Sequence, residues 1–414
     1  VLLASPLSVR AVRAELVYHC RMLEMRQHWS LDPTLVFLNH GSFGACPRIV
    51  LDYQAELRKR LEASPVQFML GVPAELERLR RVVGPFVGAD PADIVFVRNA
   101  TEGVNAVLRS LRFQPGDELL TSDQAYPACV NALRFVAQQA GASVKVVPLP
   151  FPLESSEQIV AAFRGAITAR TRLCLMDHIT SPTALVLPVA AIARLMREHG
   201  VSCLVDGAHA AGMVELDIRA LGVDYYATNF HKWTCAPKGA GMLWVRSELR
   251  QQILPSVVSH GFTEPEPRRF QAMFDWTGTS DPTAWLCLGR TLEFMGSLLP
   301  GGWRQVREEN HRLALQARDT LCAALGCRPP APDELIGSMA AIPLKPGAAP
   351  PAADPSLAPA KGPDPLYHAL ARRGFEVVVA NWPAKPQRVL RVSAQLYNTP
   401  DEYEQLGRVL QELT

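Results

Sequence analysis

The sequence predicts an α/β protein: a large domain on a mostly parallel seven-stranded sheet, followed by a smaller α+β C-terminal domain. Three observations carry this. From about residue 90 to residue 245, short β-rich runs alternate with stretches of helical spacing, the pattern of a buried parallel sheet covered by helices. The 414 residues are 48% hydrophobic and 20% charged, which is globular composition with chain enough for two or three domains. A Pro/Ala-rich stretch at 345–363 then interrupts the C-terminal part and reads as a long exposed loop without a core of its own.

Each element follows in order. Residues 94–97 read as a strand and 101–111 as a helix. Strand 118–121 leads to helix 127–140, strand 144–147 to helical spacing at 155–168, and strand 173–176 to helix 189–199. Strands at 201–205, 224–227 and 241–245 complete the seven. The large domain is expected over 25–290, with its N-terminal segment packing on the small domain. A helical span at 283–326 leads into that small domain, expected over 291–414, with a helix at 364–373, strands at 376–380 and 388–392, and a closing helix from 400. Residues 1–24 are read as an N-terminal extension. They carry Arg10 and Arg13 and no acid before Glu15, which a transit peptide would share, whereas a secretory signal places its charge ahead of the apolar run. We prefer an extended start to a targeting signal.

Composition also excludes classes. Lys plus Arg number 42 against 40 Asp plus Glu, a net charge of +2, so nothing marks a nucleic-acid or anionic-membrane partner. No apolar run is long enough to span a bilayer. Nine cysteines lie scattered without a C-x-x-C pair, so neither a zinc knuckle nor a disulfide framework is expected, no metal is assigned, and a reducing cytoplasm is the expected compartment. Phosphate-loop, H-E-x-x-H and G-x-S-x-G motifs are missing. Lys238-Gly-Ala-Gly241 precedes a strand instead of following one, so it is no dinucleotide loop.

What remains is a constellation at strand ends, where open α/β sheets bind ligands. Strand 201–205 runs into Asp206-Gly-Ala-His209, and 26 positions after Asp206 stands Lys232, in Thr228-Asn-Phe-His-Lys232-Trp. A carboxylate and then a lysine in semi-apolar surroundings suit pyridoxal phosphate (PLP). The amine forms the Schiff base and the carboxylate keeps the ring nitrogen protonated. Singly, each residue is better read as a surface lysine or a turn-forming Asp-Gly. Arg98-Asn-Ala100-Thr101-Glu-Gly follows strand 94–97 and opens a helix; its amides and the Thr101 hydroxyl suit a phosphate, or serve as a plain helix cap. Tyr126, after strand 118–121, either stacks on the cofactor ring or is a core aromatic.

Together with Arg391-Val-Ser-Ala-Gln-Leu-Tyr-Asn398, these motifs resemble the class V aminotransferase group of fold type I PLP-dependent enzymes. Leu38-Asn-His-Gly-Ser-Phe-Gly44 and Asp177-His-Ile-Thr-Ser-Pro-Thr183 are similar to its isopenicillin N epimerase-like branch. The resemblance covers about residues 25–414. It implies Lys232 as the Schiff-base lysine, Asp206 as the ring-nitrogen partner and His209 where cysteine desulfurases of the group carry a glutamine against the ring oxygen. It implies Tyr126 as the stacking residue, His178 as a cofactor-positioning residue, and Ala100, Thr101, Asn229 and His231 at the phosphate, Asn229 departing from the usual serine. Thr279 would reach the phosphate of a neighbouring subunit, hence a homodimer with shared active sites. Arg391 would bind the substrate carboxylate, with His40 and Gly41 at the substrate entrance.

The implied reaction begins with proton abstraction at Cα of an L-amino-acid moiety by Lys232. Return of the proton on the opposite face is epimerisation, the leading reading. Loss of a β-substituent is C–S lyase chemistry on a cysteine conjugate or sulfoxide, the alternative. Transamination and non-catalytic PLP binding come after these. The candidates for a second proton carrier are Tyr126, His178, His209 and His40. Desulfurase chemistry is disfavoured because 379–385 holds no cysteine. Cys235 reads as a small buried residue in preference to a reactive thiol. Phe262, Arg268, Arg269 and Trp276 either contact a distal substrate group or form an interface or solvated loop, the reading preferred here.

Overall fold

A computed structural model describes residues 24–347, 364–384 and 386–413. The expected extension, apart from Glu24, and most of the Pro/Ala-rich loop lie outside the described residues.

The short strand β1 (Val36–Phe37) precedes two long helices, Arg48–Ala63 and Pro65–Val87. The main sheet then follows: β2 (Ile94–Val97), β3 (Glu118–Ser122), β4 (Ser143–Val147), β5 (Thr171–Asp177), β6 (Ser202–Asp206), β7 (Tyr225–Asn229) and β8 (Gly241–Val245). Their order is β2-β8-β7-β6-β5-β3-β4. Only β8 runs against its neighbours β2 and β7; the rest pair in parallel. The fold is therefore α/β with a mostly parallel seven-stranded sheet.

Side chains alternate across a strand, and here both faces are buried. Val95 and Val97 join one apolar cluster with the helices Ala100–Ser110 and Pro127–Ala140, while Ile94 and Phe96 join the other. Leu173 and Leu175 divide from Cys174 and Met176 in the same way. That is why these strands read as continuous apolar runs.

The C-terminal part holds a three-stranded antiparallel sheet ordered β11 (Val378–Ala380), β12 (Arg388–Ser393) and β9 (Met339–Leu344). The helices Gly302–Leu325 and Pro400–Leu413 pack together beside it. β1 pairs in parallel with β10 (Phe375–Glu376), so the N-terminal segment is stitched to this region.

Three elements differ from the sequence reading. The expected strand 376–380 is two strands in two sheets, because Val377 breaks the run between them. The expected helix 283–326 is three helices, Thr283–Leu286, Leu288–Ser297 and Gly302–Leu325; Pro300-Gly-Gly302 ends the second, with Gly302 at φ +63°. β9 gave no signal, since its run Met-Ala-Ala-Ile-Pro-Leu is alanine-rich and holds a proline.

Candidate active site

The C-terminal ends of β5, β6 and β7 converge with the start of helix Ala100–Ser110 on a cavity of about 310 Å³. Lys232, Asp206, His209, Tyr126, Ala100, Thr101, Asn229 and His231 all line it. These residues, from four separate stretches of chain, thus meet in one place.

Asp206 ends β6 and is 2% exposed. Its Oδ1 accepts the Ala208 N–H at 3.0 Å and its Oδ2 accepts the Cys129 thiol at 3.0 Å. Asp177 ends β5 in register with Asp206 and also lines the cavity. Burial first, then the neighbouring Asp206, push its carboxyl well above the usual range.

Lys232 follows β7, with Nζ 3.2 Å from His209 Nε2. Burial first, then the Arg391 charge, lower its amine to about 8. The backbone here is tightly held. His40, fully buried, meets the Lys232 carbonyl at 2.9 Å and the Tyr397 hydroxyl at 2.6 Å. Burial brings its pKa down to about 3, so the ring is neutral; Nε2–H donates to the carbonyl and Nδ1 accepts from Tyr397. Gly44, at φ +69°, lies against the same turn: a Cβ there would overlap the His231 carbonyl and stand 3.0 Å from Lys232 Cα.

The phosphate end is built by capping. Asn99 Oδ1 accepts from Glu102 N–H at 2.9 Å and Asn229 Oδ1 accepts from Ala100 N–H at 2.8 Å. The Asn229 amide therefore turns its NH2 group, a donor, away from the helix. Thr101 N–H has no acceptor among the described residues, and it stands with the Thr101 hydroxyl at a helix N-terminus, a natural anion site. His231 Nδ1–H donates to the Ala240 carbonyl at 3.4 Å, and burial lowers its ring to about 4.

Arg391, on β12, is 4% exposed. Nη1 donates to the Ser181 carbonyl at 2.6 Å, and Nη2 to the Ser42 hydroxyl at 3.1 Å. Ser42 and Ser181 line the cavity. Arg391 Nε is buried without a partner, a cationic donor left for an anion. A carboxylate, an amine and phosphate donors line one cavity, and a buried guanidinium with an unpaired N–H is bonded to Ser42 and Ser181 of its wall; together they fit PLP and an amino acid.

Aminotransferase class-V is the family whose model matches the chain, over residues 47–406. The chain belongs to the class-V aminotransferase family. Pyridoxal phosphate is its cofactor. This class-V chain is similar to isopenicillin N epimerase of Streptomyces clavuligerus, 34% identical over 94% of this chain and 98% of that one. It is also similar to putative L-cysteine desulfhydrase 1 of Oryza sativa subsp. japonica, 31% identical over 99% of this chain and 87% of the relative. Among solved structures, the cystine C–S lyase C-DES superposes with a TM-score of 0.74 at 21% identity, covering 92% of this chain and 98% of the lyase. That likeness shows the class-V fold.

Other expected residues lie elsewhere or have their polar groups taken within the protein. His40 and Gly41 do not line the cavity: His40 is spent on Lys232 and Tyr397, and Gly41 N–H donates to Ser393 Oγ at 3.0 Å. His40 braces the turn behind the lysine, and Gly41 ties its segment to β12. Ala100 lines the wall, but its N–H is taken by Asn229. The His178 ring bonds the Tyr226 hydroxyl at 2.6 Å and is buried behind the cavity. Thr279 is exposed and outside this cavity. Phe262 is 44% exposed with the Arg269 guanidinium over its ring at 4.7 Å, also outside it. Cys235 is fully buried, and burial raises its thiol well above the usual range.

Sequence reasoning missed Asp177, Cys129, Trp233, Ser42 and Ser181 as site residues. Asp177 had a usable signal, since it directly follows the expected strand 173–176. Cys129 and Trp233 had none, because each meets its partner only across the fold.

Proposed function

We propose that this enzyme abstracts the Cα proton of an L-amino-acid moiety with Lys232 and returns a proton from Tyr126, an isopenicillin N epimerase-like reaction. When bound, PLP supplies an electron sink that weakens the bonds at Cα. The chain's own residues do the rest. Thr101, Asn229 and His231 hold the phosphate, Asp206 the ring nitrogen, and Arg391 the substrate carboxylate, which orients Cα–H towards Lys232 Nζ. An amine lowered to about 8 is a free base in a useful fraction near neutral pH.

The observation that carries the epimerase reading concerns the second proton carrier. Of the four candidates, His40 and His178 are outside the cavity and His209 is committed to Lys232 and Trp233. Tyr126 lines the cavity at 42% exposure, and its hydroxyl has no partner among the described residues. Burial raises its pKa, so the phenol keeps a proton to give. NMR of the holoenzyme in D2O with L-amino acids, cysteine conjugates and isopenicillin N tests this. Deuterium at Cα with inversion and no keto acid is expected, and Tyr126→Phe should retain exchange while losing inversion. Inversion undiminished in that variant would remove Tyr126.

The C–S lyase reading has its own support in the 31%-identical desulfhydrase relative. Pyruvate with a released thiol or sulfenate in the same experiment would establish it. We further propose a homodimer with Thr279 reaching the partner's phosphate. Val66 and Leu70, on one helix at 69% and 70% exposure, and Phe43 at the cavity, at 71%, are apolar side chains that a second copy would cover. The described cysteines are all free, which supports a reducing, cytoplasmic setting. Among the described residues no helix is long and apolar enough to cross a membrane.

A further inference from the structure

His209 is bonded on both ring nitrogens. Trp233 Nε1 lies 3.3 Å from His209 Nδ1, and Lys232 Nζ lies 3.2 Å from His209 Nε2. All three groups are held: Trp233 is 1% exposed and His209 4%, and Gly212, at φ +89°, presses its backbone on Trp233. An indole N–H can only donate. His209 Nδ1 must therefore present a lone pair, and a neutral ring then carries its proton on Nε2.

We propose that Trp233 is a positioning residue that fixes His209 in its Nε2–H tautomer. His209 is thereby a hydrogen-bond donor into the cavity, towards a lone pair on Lys232 or on the cofactor.

The consequences agree with the rest of the site. Burial first, then the Lys232 and Arg391 charges, hold the His209 ring well below the usual range, so it is neutral. An Nε2–H pointing at Lys232 cannot accept a proton from an ammonium group, so it favours the free amine. Arg391 works in the same direction at Lys232, while Asp177, Asp206 and Cys129 oppose it. Trp233 is thus the only one of these neighbours that bonds Nδ1. The tautomer stands on protein geometry alone. Its use towards the cofactor rests on the PLP reading.

The test is ¹⁵N NMR of the full-length chain with labelled histidine, before and after loading with PLP, on the alkaline side of the Lys232 titration. The His209 signal, assigned by His209→Gln, should show a pyridine-like Nδ1 and a pyrrole-like Nε2 in both states. Trp233→Phe should give a mixed or reversed pattern. A protonated Nδ1 in the wild type, or an unchanged pattern in Trp233→Phe, overturns the proposal. Should Trp233→Phe not fold, β-(3-benzothienyl)alanine at 233 keeps the ring shape and removes only the N–H. Activity gives a second readout. Trp233→Phe should lower kcat/KM roughly three- to tenfold, the value of one hydrogen bond. The same change in a His209→Gln background should cost nothing, because a glutamine amide donates without a tautomer to fix. An equal loss in both backgrounds would reduce Trp233 to packing. A chain that binds no PLP yet keeps the Nε2–H signal would sink the functional reading and leave this one standing.

Discussion

At the residue scale, Lys232 sits at the junction of stability and chemistry. Its amine falls from the ordinary 10.5 to about 8 because the cavity desolvates the charge. For a lysine this is a cost to folding. The unfolded chain binds the proton up to pH about 10.5 and the folded chain only up to about 8, so stability rises with pH between those values. Lys232→Met should therefore stabilise the PLP-free protein at neutral pH by at most about 3 kcal/mol, with the gain fading as pH climbs through that window. Thermal melts at several pH values would show it, and a gain independent of pH would contradict it. Arg391 makes the complementary case. Its Nε lacks a partner, so Arg391→Ala should raise KM for an amino acid on the order of 10- to 100-fold. Arg391→Lys should recover only part, since an ammonium cannot reproduce the planar fork. Steady-state kinetics of the two variants decides this.

At the element scale, the site depends on how turns and helix starts are pinned. Gly44 is at φ +69° with no room for a Cβ beside His231 and Lys232. Gly44→Ala should cost about 2 kcal/mol or more through backbone strain and displacement of that turn. Loss of PLP absorbance should accompany the lower melting temperature. Asn229 joins β7 to the first turn of helix Ala100–Ser110 through Ala100 N–H. Asn229→Ala leaves that amide unpaired and removes a phosphate donor. PLP affinity should fall about tenfold, measured by titrating the cofactor-free variant. An unchanged affinity would place the phosphate elsewhere.

At the scale of the whole molecule, the small sheet and the N-terminal segment complete a cavity that the large sheet only begins. β1 pairs with β10 and Arg391 comes from β12, so substrate binding and the lysine turn belong to different parts of the chain. The exposed apolar side chains of Phe43, Val66 and Leu70 predict a dimer by sedimentation. Val66→Glu with Leu70→Glu should yield a monomer that retains PLP poorly, if the phosphate site is shared. A wild-type monomer with full activity would reject the shared site.

Much of this protein was legible from residue order. The alternation of apolar runs and helices predicted the seven-stranded sheet, because a strand buried on both faces must be apolar throughout. Asp206, Lys232 and Thr101 stood out because each follows a strand, a local feature with local spacing. Nothing local pointed to His40 bonding Tyr397, 357 positions away, or to Arg391 reaching Ser42. Asp177 became a neighbour of Asp206 only when β5 and β6 aligned in register. His209 reads in sequence as one more histidine after a strand. Its tautomer is decided by an indole that reaches it only in the folded chain, since hydrogen-bond direction is a property of partners in space.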